Sequence, residues 1–251
     1  MKGIGDHTMI NTAEFGIVRK RTARALLEIE RSICPSSEID SISDAALRAT
    51  FGVGLAWIQR FIMQPHPDLG RKGAVCPFAQ PAHEARALHF CALDVGEMSF
   101  DAFIDVMMHL RSFYNRVAVN MSGRSDLLSL CVFPRNLRAE SYNKFIDCAH
   151  SMLKPSYMNA GLMLGEFHPL SAVRGAHSER ICAMRSDVPI FVIRSITLHD
   201  ILFIDRESSA LGTRIHELEC YQRGMGNLLP PSEADRIKNR IEELKSQQCL
   251  R

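Results

Sequence analysis

LHFCALDVGEMSFDAFIDVMMHLRSFYNR, residues 88–116, changes its hydrophobic period once. Residues 88–95 form an almost continuous apolar run of strand length. From Ser99 onward Phe103, Val106, Met107, Leu110 and Phe113 recur at helical spacing along one face. A buried strand feeding an amphipathic helix is the opening of a layered fold, and the pattern continues downstream. LLSLCVF, residues 127–133, reads as a second strand ended by Pro134, with a helix over about 139–153 that stops near Pro155. GLMLGEF (161–167) and PIFVIRSI (189–196) supply two more strands, joined by an irregular connection of about twenty residues, a length that in compact domains usually signals function or mobility. The expected class is α+β: a sheet of at least four strands with helices packed on it and helical additions at both ends.

Working outward, residues 11–33 carry charges and aliphatics at helical spacing, closed by Cys34-Pro35, where proline removes the next backbone donor. A second helix is expected over 43–63, with Ser43 as its cap and Trp57, the only tryptophan, as a core anchor. Beyond the strands, two helices are expected near 209–223 and 232–247. In the last one Ala234, Ile237, Ile241 and Leu244 make a narrow apolar stripe that should dock on the body or on a second copy, which leaves a homodimer open. The division that follows is a helical extension over 1–42, an α+β core over 43–205, and C-terminal helices over 206–251.

Thirty basic and 28 acidic residues give a net charge of +2, and the pI is about 8.1. That balance supplies no electrostatic reason to expect nucleic acid, so a small-molecule substrate or a protein is the expected partner. No apolar run approaches the roughly 20 residues a bilayer span needs, and MKGIGDHTMINTAEF lacks the apolar segment of a secretory signal, so the expected compartment is the cytoplasm, with no membrane partner. The eight cysteines show no zinc-ribbon spacing. Cys91 and Cys131 sit inside apolar strands, where cysteine behaves as a small hydrophobe, whereas Cys76 lies in a loop. Gly52-Val53-Gly54 and Gly224-Met225-Gly226 lack a preceding strand and do not indicate a nucleotide.

Two stretches concentrate chemistry. In HPDLGRKGAVCPF, residues 66–78, Gly70 and Gly73 permit tight bends that present Arg71 and Lys72 beside Cys76. If Pro77 opens a short helix through Arg86, Cys76 caps it and the helix dipole favours a thiolate; Pro81 leaves open a later start, at Pro81 itself. In GLMLGEFHPLSAVRGAH, residues 161–177, strand alternation puts Glu166 and His168 on one face, just before a loop carrying Arg174 and His177. A glutamate and a histidine so placed could form a general acid/base pair or orient a ligating imidazole.

HPDLGRKGAVCPF, GLMLGEFHP and RSDVPIFVIRSI together resemble an uncharacterised bacterial family whose members carry HPxLGRxGxVCPF and a strand ending in GEFHP, over roughly residues 65–203. More remotely the layout is similar to the YqcI/YcgG group, which has a Pro-Cys order in its loop and includes haem-dependent N-hydroxylases of guanidino or amino groups. The resemblance implies a haem pocket. His168 or Cys76 would ligate the iron, with His168 preferred because a neutral imidazole needs no thiolate stabilisation. Arg71, Lys72, Arg174, His66 and His177 would serve the cofactor's polar edge, Phe78 and Phe167 would wall the ring, and Glu166 would orient the imidazole or relay protons. The implied activity is a haem-dependent oxygenase acting on a small nitrogenous metabolite with an external electron donor. Two alternatives stand beside it: a cofactor-free enzyme with a Cys76 nucleophile and His168 as base, and a non-catalytic haem-sensing or interaction protein.

Overall fold

The computed structural model describes residues 12–121, 123–176 and 178–249, with side chains from residue 21 onward. The strands are β1 (Cys34–Pro35), β2 (Leu88–Asp94), β3 (Ser129–Arg135), β4 (Leu162–Phe167) and β5 (Ile190–Ser195). They form one five-stranded sheet in the order β1-β2-β3-β5-β4. Only β2 and β3 are parallel, joined by helix α4 (Phe100–Asn120), while the other three pairings are antiparallel. Ser99 accepts a hydrogen bond from the Ala102 N–H and so caps α4, whose apolar face then buries Phe103, Val106, Met107 and Leu110.

The sheet carries helices on both sides. On one face lie α1 (Thr12–Ser32), α4 and α5 (Ala149–Asn159), meeting Cys91, Leu93, Leu130, Val132, Leu162, Leu164, Phe191 and Ile193 in one apolar cluster. Helix α1 buries Ala25 and Ile29 there, and β1 is the sheet's edge strand, so the N-terminal segment shares the core. The opposite face packs against α2 (Ala45–Trp57) and α3 (Ala79–Glu84), with Phe90, Cys131, Phe133 and Ile190 pointing towards them. Helices α6 (Leu211–Met225) and α7 (Pro231–Cys249) build a third cluster with Met158, Met163 and Ile204. The α7 stripe docks on the body: Ile237, Ile241 and Leu244 are buried in that cluster.

Several local expectations are corrected. Asp44, not Ser43, caps α2, its carboxylate accepting from the N–H groups of Ala46 and Leu47. The helix then passes into a π turn at Ile58–Ile62. Pro134 does not end β3: it lies inside the strand opposite Leu93, past Val132, the last residue paired with β5, where a missing N–H breaks no ladder bond to that strand. Pro155 lies inside α5, which continues from a π turn at Asn143–Cys148 and runs on to Asn159 despite the missing N–H and the crowding of the preceding turn by the proline ring. In each GxG signal one glycine is a packing glycine. A Cβ on Gly54 would overlap the Phe133 ring, and one on Gly224 would overlap the Met158 carbonyl oxygen, so α2 and α6 can approach their neighbours closely only through glycine.

Candidate functional site

Strand β4 sorts the candidate residues. Its register places Leu162, Leu164 and Glu166 opposite Ser195, Ile193 and Phe191, on the α4/α5 face, and Gly165 and Phe167 opposite Val192 and Ile190, on the α2 face. Glu166 and His168 therefore share a face, as alternation requires, and both are buried. They do not pair with each other. Each meets a partner from the helix above: His150 Nδ1 lies 2.9 Å from Glu166 Oε2, and His168 Nε2 lies 2.9 Å from Asp147 Oδ1. Asp147 and His150 are three positions apart on the continuous π and α helix, which brings both over the end of β4.

Hydrogen-bond roles fix the protons. His150 Nε2 lies 2.9 Å from the Leu164 carbonyl oxygen, which only accepts, so Nε2 carries hydrogen. Nδ1 then faces a carboxylate oxygen, and two lone pairs at that distance repel, so one proton lies between His150 and Glu166. The contact is not an aligned hydrogen bond, since Glu166 Oε2 falls off the ring N–H direction. In the second pair Nε2 of His168 donates to Asp147, which leaves Nδ1 buried without a partner. Asp147 reaches solvent with 38% of its side chain exposed, against 4% for His168. The Tyr142 ring tilts over His168 at 5.2 Å. The long connection closes on the same residue: His168 N–H donates to Met184 O, and the His168 carbonyl accepts from Ser171 and Ser186.

The HPDLGRKGAVCPF loop belongs to the other face. His66 Nδ1 accepts from Asp68 N–H, Gly70 and Gly73 adopt φ of 78° and 91°, and the Val75 and Cys76 N–H groups donate back to Gln64 and Ile62. Arg71 is turned onto its own loop, donating to the carbonyls of Lys72 and Val75, and Lys72 is exposed. Cys76 does not cap a helix. Helix α3 begins two residues beyond Pro77, with Phe78 at its cap position, and Pro81 occupies its first turn, where no N–H is needed. Half-buried Cys76, Phe167 and Val192 pack against the α2 cluster, Trp57 contacts Phe167 at 5.3 Å, and Phe61 contacts His66 at 5.8 Å. Trp57 itself is 4% exposed and is core.

Sequence reasoning did not single out Arg194 of β5. Its guanidinium lies 5.7 Å over the Phe78 ring and forks onto both carboxylate oxygens of buried Asp200, and strand alternation from Val192 puts it on the same side of the sheet as Cys76. Asp147 and His150 were missed as well; a D-x-x-H spacing in FIDCAHSM was the available signal.

The sheet thus divides the expected site. Cys76, Phe78, Phe167 and His66 lie on the α2 face, while His168 and Glu166 lie on the α5 face. Arg174 is elsewhere, exposed on the rim of a separate cleft, and His177 lies outside the described residues. A haem walled by Phe78 and Phe167 cannot take His168 as its axial ligand, because the sheet intervenes and His168 presents only Nδ1, the nitrogen crowded by its own Cβ. Cys76, by contrast, shares its side of the sheet with Phe78, Phe167 and the Arg194 guanidinium. The same separation removes His168 as a base for a Cys76 nucleophile. Among the described residues no group of three or more His, Cys, Asp and Glu side chains is arranged to hold a bare metal ion, and no helix is long and apolar enough to cross a membrane.

No curated protein and no solved structure matches the chain significantly. A family model described as a domain of unknown function, DUF6875, matches residues 53–235, which takes in the Cys76 loop, all of the sheet except β1, both histidine–carboxylate pairs and α6. The chain belongs to the DUF6875 family.

Proposed function

We propose that the protein is a haem-dependent oxidoreductase acting on a small nitrogenous metabolite, with the cofactor on the α2 face of the sheet. The observation that carries this reading is the grouping of the Cys76 thiol, the Phe78 and Phe167 rings and the Arg194 guanidinium on that one face. Haem needs an axial donor, apolar walls and cationic groups for its carboxylates. Cys76 would be the donor, the two phenylalanines the walls, and Arg71 and Lys72 the nearby cations. Arg194 is fixed on that face by its fork onto Asp200. When bound, haem supplies one-electron and oxygen chemistry, for which the reading includes an external electron donor. The resemblance to the YqcI/YcgG group supports N-hydroxylation as the reaction.

The test is an absorption spectrum of protein purified from cells given a haem precursor, beside Cys76→Ala and His168→Ala. A Soret band lost in Cys76→Ala and kept in His168→Ala is expected. A colourless wild-type protein that also fails to bind added haemin refutes the reading. A second reading, a cofactor-free thiol enzyme, draws on the same placement of Cys76 and Arg194 on one side of the sheet. It predicts no chromophore and alkylation of Cys76 ahead of the exposed Cys148 and Cys249.

A further inference from the structure

We infer that a cleft separate from the Cys76 loop binds an elongated organic carboxylate with an apolar body. The cleft measures about 1140 Å³ and lies between residues 172–176, Ser178 and Glu179, residues of the segment 201–209, and helix α7. Small-ligand sites run to ~300–1,000 Å³, so this one suits an extended molecule rather than a compact one. Ile201, Leu202, Leu218 and Ile237 give it an apolar lining, and Leu202 keeps 41% of its surface exposed. Four arginines, Arg174, Arg206, Arg236 and Arg240, stand around that lining.

Three of those guanidinium groups are already held in place. Arg240 donates to Asp205 and Glu243, Arg236 donates to Glu233, and Arg206 donates to the Arg174 carbonyl oxygen. Each keeps N–H groups to spare, and a fixed guanidinium loses less freedom on meeting a carboxylate than a mobile one does. The acid set deepest in the wall does not oppose an anion, since Asp205 accepts from Arg214 as well as Arg240 and so carries two cations on one carboxylate. The remaining acids of the lining, Glu179 and Glu207, are exposed at its rim. Arginine forks recognise carboxylates in pairs of parallel bonds, and the apolar lining has no use for a small hydrophilic anion, so the two halves of the cleft together select a carboxylate with a hydrocarbon body. The inference stands apart from the haem reading, since the cleft shares no lining residue with the Cys76 loop or with Arg194.

The test is calorimetric titration of the full chain with decanoate, decanol and inorganic phosphate, on wild type, the double variant Arg206→Ala/Arg236→Ala, and Leu202→Asp. Decanoate should bind at one saturable site, about tenfold or more tighter than decanol, and phosphate should not bind. The double arginine variant should weaken decanoate by about tenfold and leave decanol unchanged, and Leu202→Asp should weaken both. Arg236→Glu, a single change on an exposed helix face, serves if the double variant proves unstable, with the same expected loss. Equal binding of decanoate and decanol, phosphate binding as tight as decanoate, absence of saturable decanoate binding at millimolar concentration, or arginine variants that bind like wild type would each overturn the inference.

Discussion

Replacing His150 by leucine should cost far more stability than replacing Glu166 by glutamine, although both break the same contact. The side chains are only 16% and 11% exposed, so their interaction is little screened by water. Leucine leaves the Glu166 carboxyl group buried without the partner it shares a proton with, a change that costs about 3–5 kcal/mol when one partner of a buried pair is removed. It also strips the Leu164 carbonyl of its donor. Glutamine keeps the shape and moves the donor: its amide can donate to Nδ1 of a neutral His150 while Nε2 still donates to Leu164, so the loss is near that of one hydrogen bond, about 1 kcal/mol. Against a total stability of ~5–15 kcal/mol the leucine variant gives up roughly a third, and the glutamine variant little. Urea unfolding followed by fluorescence of Trp57, the only tryptophan and a core residue, reads both. Adding the double variant closes a thermodynamic cycle whose coupling energy should be at least ~2 kcal/mol. If leucine costs under about 1 kcal/mol, or glutamine costs as much as leucine, no proton is shared between these groups and the reasoning fails.

Gly224→Ala should destabilise by at least about 3 kcal/mol in the same urea assay, because the new Cβ overlaps the Met158 backbone carbonyl and α5 and α6 must part; a cost below ~1 kcal/mol would show that the helices yield easily. For Asp205, burial acts to raise the carboxyl, but hydrogen bonds from Arg240 and Arg214 outweigh it and hold the group below the ordinary carboxylate value. Its stabilisation is therefore present above the unfolded value and lost as pH falls through the folded one, so Asp205→Asn should lower Tm at neutral pH with a gap that closes below about pH 4; a gap constant with pH contradicts this. Mass-spectrometric mapping after brief alkylation at pH 8 should find label on exposed Cys148 and Cys249, little on Cys34, whose thiol burial pushes up to about 11, and none on buried Cys91 and Cys131; early labelling of the strand cysteines would mean that the sheet opens.

The elements legible in the sequence were those whose own period carries the signal. β2 and α4 stand within a residue or a turn of where residues 88–116 place them, and α7 docks by the stripe read from its spacing. Elements defined by their neighbours were not legible. β1 is two residues long and exists because β2 offers an edge, with Cys34 opposite Phe90 and Pro35 opposite His89. Prolines misled for a related reason: a missing N–H ends an element only where a partner was waiting for it, and neither Pro134 nor Pro155 stops the strand or helix that holds it. The candidate site shows the same limit. Alternation correctly put Glu166 and His168 on one face, but what covers a face depends on tertiary packing, so Asp147 and His150 stayed hidden in a helix read only for its apolar pattern.

That limit has a consequence for every mechanism that joins the two motifs. Phe167, between Glu166 and His168 in sequence, points through the opposite side of the sheet to Trp57, so three consecutive residues serve two separate surroundings. A thiol on the α2 face and an imidazole on the α5 face share no hydrogen bond and no side-chain partner. Substitutions at sites without shared partners add, to within about 0.5 kcal/mol, whereas members of one catalytic relay are strongly non-additive. Stability losses in Cys76→Ala and His168→Ala should therefore sum in the double variant, and haem binding should follow Cys76 whatever stands at 168. A double variant no worse than its worse single variant would mean that the two residues act as one unit, and that the sheet does not separate them in the working protein.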